Sequence, residues 1–150
     1  MNEQIQESAG IVIAVVLVID GLFHAYWATG RVWPARDKLA LAQTVLNINR
    51  TRSWRPAVLV SLACLLLCSA CIALAQVHLL GLPGELIPAP LLQIGILAIA
   101  IGLLLRGLAG VVWALGLLAS KSELFYTLNL WIYTPACIVL FIAAVIAARF

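Results

Sequence analysis

Residues 10–28 read GIVIAVVLVIDGLFHAYWA, a run that is aliphatic or aromatic almost throughout and is interrupted only by Asp20 and His24. About 20 predominantly apolar residues, rising 1.5 Å each as a helix, cross a hydrocarbon core of about 30 Å. Three further runs of this kind follow, at about 56–77, 91–119 and 125–148. Of the 150 residues, 65% are hydrophobic and 10% charged, with mean hydropathy +1.12. A soluble domain carries about 25% charged residues, so the composition excludes a water-soluble globule. The expectation is an all-α polytopic membrane protein, a single four-helix transmembrane bundle spanning 1–150 with little length left for anything outside the membrane.

The first run is not read as a cleaved leader. Residues 2–8 contain Glu3 and Glu7 and no basic residue, the wrong charge for a signal peptide, and no convincing small-residue cleavage site follows. Formal net charge is +3, and its placement is uneven: Arg31, Arg36, Lys38, Arg50, Arg52 and Arg55 fall between the first two runs, opposed only by Asp37. Basic residues in short loops stay cytoplasmic. A bacterial inner-membrane protein with a cytoplasmic 31–55 connection and both termini periplasmic is therefore expected. A basic loop beside a membrane follows from topology and from attraction to anionic lipid, so nucleic acid is not expected as a partner.

Within that connection, residues 36–49 favour a short amphipathic helix lying along the interface, with Leu41, Val45 and Ile48 on one side; an irregular basic loop is the alternative. Trp54 and Pro56 mark the entry to the second span. The second connection, from His78 to Pro90, holds three prolines and two glycines and is no continuous helix. Its apolar content suggests a lid packed against the outer end of the bundle.

Cys64, Cys68 and Cys71 share one face of the second helix. With Ala57, Ser61 and Ala75 they read as a stripe of small residues for close helix packing rather than as metal ligands, and disulfides are not expected.

An ionisable group inside lipid costs about 3 kcal/mol on insertion scales and usually faces a bundle interior or polar cavity. Asp20, His24 and Trp27 form one stripe on the first helix, with Tyr26 nearby. Counted from Ala28, His24 lies about 6 Å and Asp20 about 12 Å deep; counted from Ala119, Arg106 lies about 20 Å deep. Gly102, Arg106 and Gly110 share a face of the third helix, with Trp113 following, and the glycines leave room for a neighbouring backbone. The fourth helix brings Asn129 and Tyr133 to the depths of His24 and Asp20, and Pro135 frees a carbonyl near Trp131.

Two readings fit this polar layer. In one, Asp20 pairs with Arg106 while His24, Asn129 and Tyr133 are interhelical hydrogen bonds that fix register. In the other, Arg106 anchors the anionic or carbonyl group of a small amphipathic ligand, and Asp20, His24 and Tyr133 are the catalytic candidates, with proton transfer between ligand and Asp20 or His24. Trp27, Trp113, Tyr26 and Asn129 then join Arg106 in binding. No metal and no cofactor is expected: His24 lacks a second ligand for haem, zinc or iron, and no phosphate loop, dinucleotide fingerprint or hydrolase triad is present.

The run Asp20-Gly-Leu-Phe-His24-Ala-Tyr26-Trp27-Ala-Thr-Gly30-Arg-Val-Trp33-Pro34, together with Tyr133-Thr-Pro135-Ala-Cys137, resembles the bacterial four-helix membrane proteins grouped as the DUF3995 family. Thr29-Gly30 stands where the family usually has a Gly-Gly pair, and Ala136 where it often has leucine. The resemblance implies a four-helix inner-membrane protein, marks His24, Tyr26, Trp27, Tyr133 and Pro135, and supplies no activity. The function expected is a small membrane protein that binds or converts an amphipathic ligand. The alternative is a non-enzymatic accessory subunit that joins a membrane-protein partner or its own copies. Membrane lipid is a partner under both. Solute transport by four helices without inverted repeats would need oligomerisation.

Overall fold

The computed structural model describes residues 2–49, 55–120 and 122–148, which fold entirely as helices and their connections. In chain order these are α1 (Glu3–Ala28), α2 (Lys38–Leu46), α3 (Pro56–Gln76), α4 (Leu82–Glu85), α5 (Ala89–Ala114), α6 (Glu123–Leu128), a π-helical turn (Asn129–Tyr133) and α7 (Thr134–Ala147). Four stretches are long and apolar enough to span a membrane: α1, α3, α5 and the continuous 123–147 segment. The protein is a multi-pass, all-α membrane protein, and the outer faces of its long helices carry exposed Val, Leu and Ile side chains suited to lipid contact.

Two helix ends differ from the sequence expectation. The first helix starts at Glu3 rather than near Gly10, because the Asn2 side chain caps it by accepting the Gln4 N–H at 3.2 Å, and Glu3 suits the positive helix start. Its buried face continues from Gln6 through Ala9, Ile13 and Leu17 to His24 and Trp27. The third span stops at Ala114, short of Ala119. Gly116 takes φ +72°, its N–H donates to Trp113 O, and Leu117 N–H donates to Val112 O. That is a glycine-based helix stop, which hydropathy does not register. In the last span Pro135 has no N–H to give Trp131 O, and just before it Thr134 N–H reaches back to Asn129 O, five residues away.

The bundle holds two buried apolar clusters, one toward each end. α1 packs on α3 and α7, and α5 packs on the same two, so α1 and α5 stand across the diagonal. The main core joins Ala9, Ile13, Ala14 and Leu17 of α1 to Ala70, Ala73 and Val77, to Ile96 and Ala100, and to Leu140, Ala143, Ala144 and Ala147. Gly10 permits the α1–α3 approach: a Cβ there would sit 2.6 Å from Val77 Cγ2 and 3.2 Å from Ala73 O. At the same end Gln76 donates to Gln93, whose amide donates to Ala148 O at 2.9 Å, linking α3, α5 and the end of α7.

At the opposite end a smaller cluster of Trp27, Leu41, Ala42 and Leu59 seats α2 against the bundle. A short helix, α2, forms in that connection over Lys38–Leu46, where 36–49 was expected. Asp37 Oδ1 accepts from Leu39 and Ala40 N–H, each at 2.8 Å, and Asn47 ends the helix at φ 55° while donating to Ala119 O. The expectation for Trp54 falls outside the described residues.

Two packing expectations are corrected. Cys64, Cys68 and Cys71 are exposed, and α3 packs instead through Leu59, Ala63, Ala70 and Ala73. Alanine gives as close an approach as cysteine, so the small-residue rule fits either face. The second connection is no apolar lid: Leu79, Leu82 and Leu86 stay exposed, and only Gly84 buries, against Ala75.

Candidate functional site

The main core ends at Leu17 on α1, Ala100 on α5 and Leu140 on α7; the polar residues lie beyond it, toward α2. On α1 the helical stripe places His24 one turn after Asp20. His24 Nδ1 donates to the Asp20 backbone O at 2.8 Å and lies 3.3 Å from Asp20 Oδ1. A carbonyl only accepts, so Nδ1 carries the hydrogen. The His24 side chain is 8% exposed and meets the Trp27 ring edge-on at 5.2 Å, whereas the Asp20 side chain is 52% exposed. Trp27 Nε1 donates to Trp33 O at 2.9 Å and so ties the following loop back onto the helix. Tyr26 lies off this stripe, beneath the Arg31 guanidinium at 5.7 Å.

The second half of the layer belongs to α5 and the π turn. Asn129 is fully buried; its Nδ2 donates to Gly110 O at 2.8 Å, and its Oδ1 accepts from Arg106 at 3.3 Å. The same guanidinium lies over the Trp113 ring at 5.9 Å and the Tyr133 ring at 5.7 Å. Trp113 is held edge-on by buried Phe125 at 5.1 Å. Arg106 is thus set between two aromatic faces and one amide, a combination suited to a guanidinium.

The sequence layer therefore separates into two clusters. Among the described residues Asp20 makes its ion-pair contact with His24, and the expected Asp20–Arg106 pair is not formed. The diagonal placement of α1 and α5 is the reason. Asn129 likewise bonds to α5 rather than to Asp20. The shorter α5 does bring the two charges level. Arg106 stands eight residues from Ala114, and Asp20 eight from Ala28. Each is about 12 Å from its helix end, where Arg106 was expected at about 20 Å. Tyr133 belongs to the Arg106 cluster, and Cys137, one helical turn on, faces α5 at Gly107.

Of the glycines expected beside Arg106, Gly110 is needed: a Cβ there would collide with Thr134 Oγ1 and lie 3.2 Å from Asn129 Oδ1. Gly102 meets nothing within 4 Å. Sequence reasoning passed over Thr134, Phe125 and the proximity of Cys137. Thr134 Oγ1 is buried without a hydrogen-bond partner, and Cys137 follows Tyr133 by one helical turn, a spacing that was available as a signal. Two described hollows are apolar and lie outside the polar layer. One, about 230 Å³, runs between α5 and α7 along Leu104, Leu108 and Phe141; the other, about 410 Å³, is lined by Ile19, Leu22, Phe23, Tyr26 and Trp33. Among the described residues, no three histidine, cysteine or carboxylate side chains converge as a metal site.

Comparison with known proteins gives one family. A family profile described as a protein of unknown function, DUF3995, matches residues 17–144. No curated protein and no solved structure matches the chain. The matched residues take in the second and third spans whole, the second half of α1, most of the last span and every member of both polar clusters, and on that match the chain belongs to the DUF3995 family.

Proposed function

We propose that this protein binds a small amphipathic molecule between α1, α5 and α7, with Arg106 anchoring its anionic or carbonyl head. One observation carries the reading. Arg106 sits inside a span with a single amide and two rings for company, and among the described residues no carboxylate lies within 4.0 Å. A cation at membrane depth without an ion pair gains most from an anion that arrives with its own apolar tail. The half-exposed Asp20, on the flank of α1 where packing against α7 gives out, marks a side entrance from the lipid. In this reading Asp20 and His24 are the groups that exchange a proton with the bound head, Tyr133 beside Arg106 is the third catalytic candidate, and Trp27, Trp113, Tyr26 and Asn129 shape the surroundings.

The test is mass spectrometry of lipids and small molecules retained by the purified protein, wild type against Arg106→Gln and Arg106→Lys. An anionic amphipath held by wild type, kept by Arg106→Lys and lost from a folded Arg106→Gln protein supports the proposal. An unchanged set of retained molecules overturns it.

A second reading has its own support: Asn129 of the π turn bonds both Gly110 O and Arg106 of α5 and would hold the last span and α5 in register. The protein would then be an accessory subunit. Arg106→Gln would lower stability without loss of any molecule, and a stoichiometric protein partner or a second copy would co-purify. Either reading takes the basic 31–55 connection as cytoplasmic in a bacterial inner membrane and both termini as periplasmic, supported by the charge asymmetry. Reporter fusions at the two termini check that orientation.

A further inference from the structure

We infer that the outer face of α1 carries a separate site for one anionic phospholipid, with an acyl chain in the 410 Å³ hollow and the phosphate at Arg31. The hollow is lined by Ile19, Leu22 and Phe23 on the exposed face of α1, by half-buried Tyr26 at the edge of the smaller core cluster, and by Trp33 on the loop that follows. Ile19, Leu22 and Trp33 are exposed, so this wall meets the lipid tails directly. The hollow is built rather than incidental. Trp33 stacks on Phe23 at 6.3 Å with the rings 13° apart, and the Trp27 Nε1 bond to Trp33 O holds the loop that carries it.

The charge at its rim selects the occupant. Arg31 lies over the Tyr26 ring that lines the hollow, and among the described residues it has no carboxylate within 4.0 Å. Tyr26 and Arg31 lie at the helix end, where headgroups begin, while Ile19 and Leu22 lie one to two turns deeper. A molecule that fills both parts has a hydrocarbon chain and, at its upper end, a phosphate without a compensating ammonium. This site does not use the Arg106 guanidinium; it shares Tyr26 with the surroundings proposed for the ligand there, and it stands or falls on Arg31.

The experiment counts lipids retained by the protein after reconstitution in equimolar phosphatidylglycerol and phosphatidylcholine. It uses wild type, Arg31→Gln, Arg36→Gln and Leu22→Trp. One basic side chain near an anionic surface is worth about a fivefold preference, so Arg31→Gln should reduce phosphatidylglycerol enrichment about fivefold. Arg36→Gln should leave that enrichment in place. Leu22→Trp, at an exposed position, fills the hollow and should reduce retention of the lipid without touching the charge. Equal loss with Arg36→Gln means a diffuse basic surface and overturns the site. So does unchanged enrichment in Arg31→Gln, or a dimer that buries Leu22 and Trp33.

Discussion

Gly110→Ala tests the joint between the two helices that hold Arg106. The added Cβ would collide with Thr134 Oγ1, lie 3.0 Å from Thr134 Cβ and 3.2 Å from Asn129 Oδ1. Thr134 is buried and Asn129 is fully buried, so neither has a free direction in which to retreat. The helices must part, and the 2.8 Å bond from Asn129 to Gly110 O lengthens with them. Overpacking of this kind costs about 1–3 kcal/mol. An interhelical hydrogen bond in a membrane adds about 0.6 kcal/mol on average and about 1.7 at most. Alanine recovers about 1 kcal/mol over glycine in a helix interior, so the net loss is about 1–3 kcal/mol. Gly102→Ala is the matched control on the same helix, since a Cβ there meets nothing within 4 Å. It should be neutral or gain up to about 1 kcal/mol. The assay is reversible unfolding in mixed micelles at rising dodecyl sulfate fraction, followed by circular dichroism. Equal stability of the two variants would refute the described contact between α5 and the start of α7. Adding Thr134→Ala to Gly110→Ala should restore part of the loss, and no restoration would place its cause elsewhere.

Two smaller predictions concern helix ends outside the polar layer. Asp37→Ala removes the acceptor for two amides, costs about 1 kcal/mol, and should speed hydrogen exchange at Leu39 and Ala40 while α5 amides stay protected. Unchanged exchange there would mean that the cap contributes nothing. His78 ends α3 at φ +61°, with Leu79 N–H donating to Leu74 O, so His78→Gly should raise thermal stability by about 1 kcal/mol. A loss of stability would show that the imidazole has a role beyond its backbone.

Hydropathy was sufficient for the four spans because a membrane helix needs only length and apolar character, and all four runs have both. It was blind to where α5 ends: residues 115–119 are still apolar, and the stop lies in the left-handed backbone of Gly116. The members of the polar layer were legible residue by residue, since charge at membrane depth is conspicuous. Their pairing was not, because it depends on which helices are neighbours. Asp20 and Arg106 suit each other chemically but belong to diagonal helices, so each makes its polar side-chain contact locally, with His24 and with Asn129. The cysteine face of α3 failed for a related reason. That helix is apolar all round, and nothing in its pattern tells the core side from the lipid side.

The π turn at Asn129–Tyr133 amounts to one surplus residue in the last span. Removing a residue between Leu130 and Ile132 would let an ordinary α-helix run through. Everything on the α6 side would then swing about 100° around the axis relative to α7. Asn129 would leave Gly110 and Arg106, and Phe125 would leave Trp113, while the alanines that seat α7 in the core kept their places. The insertion thus uncouples two jobs along a single rod. The far end follows the demands of close packing, and the near end can be aimed at the guanidinium independently of them.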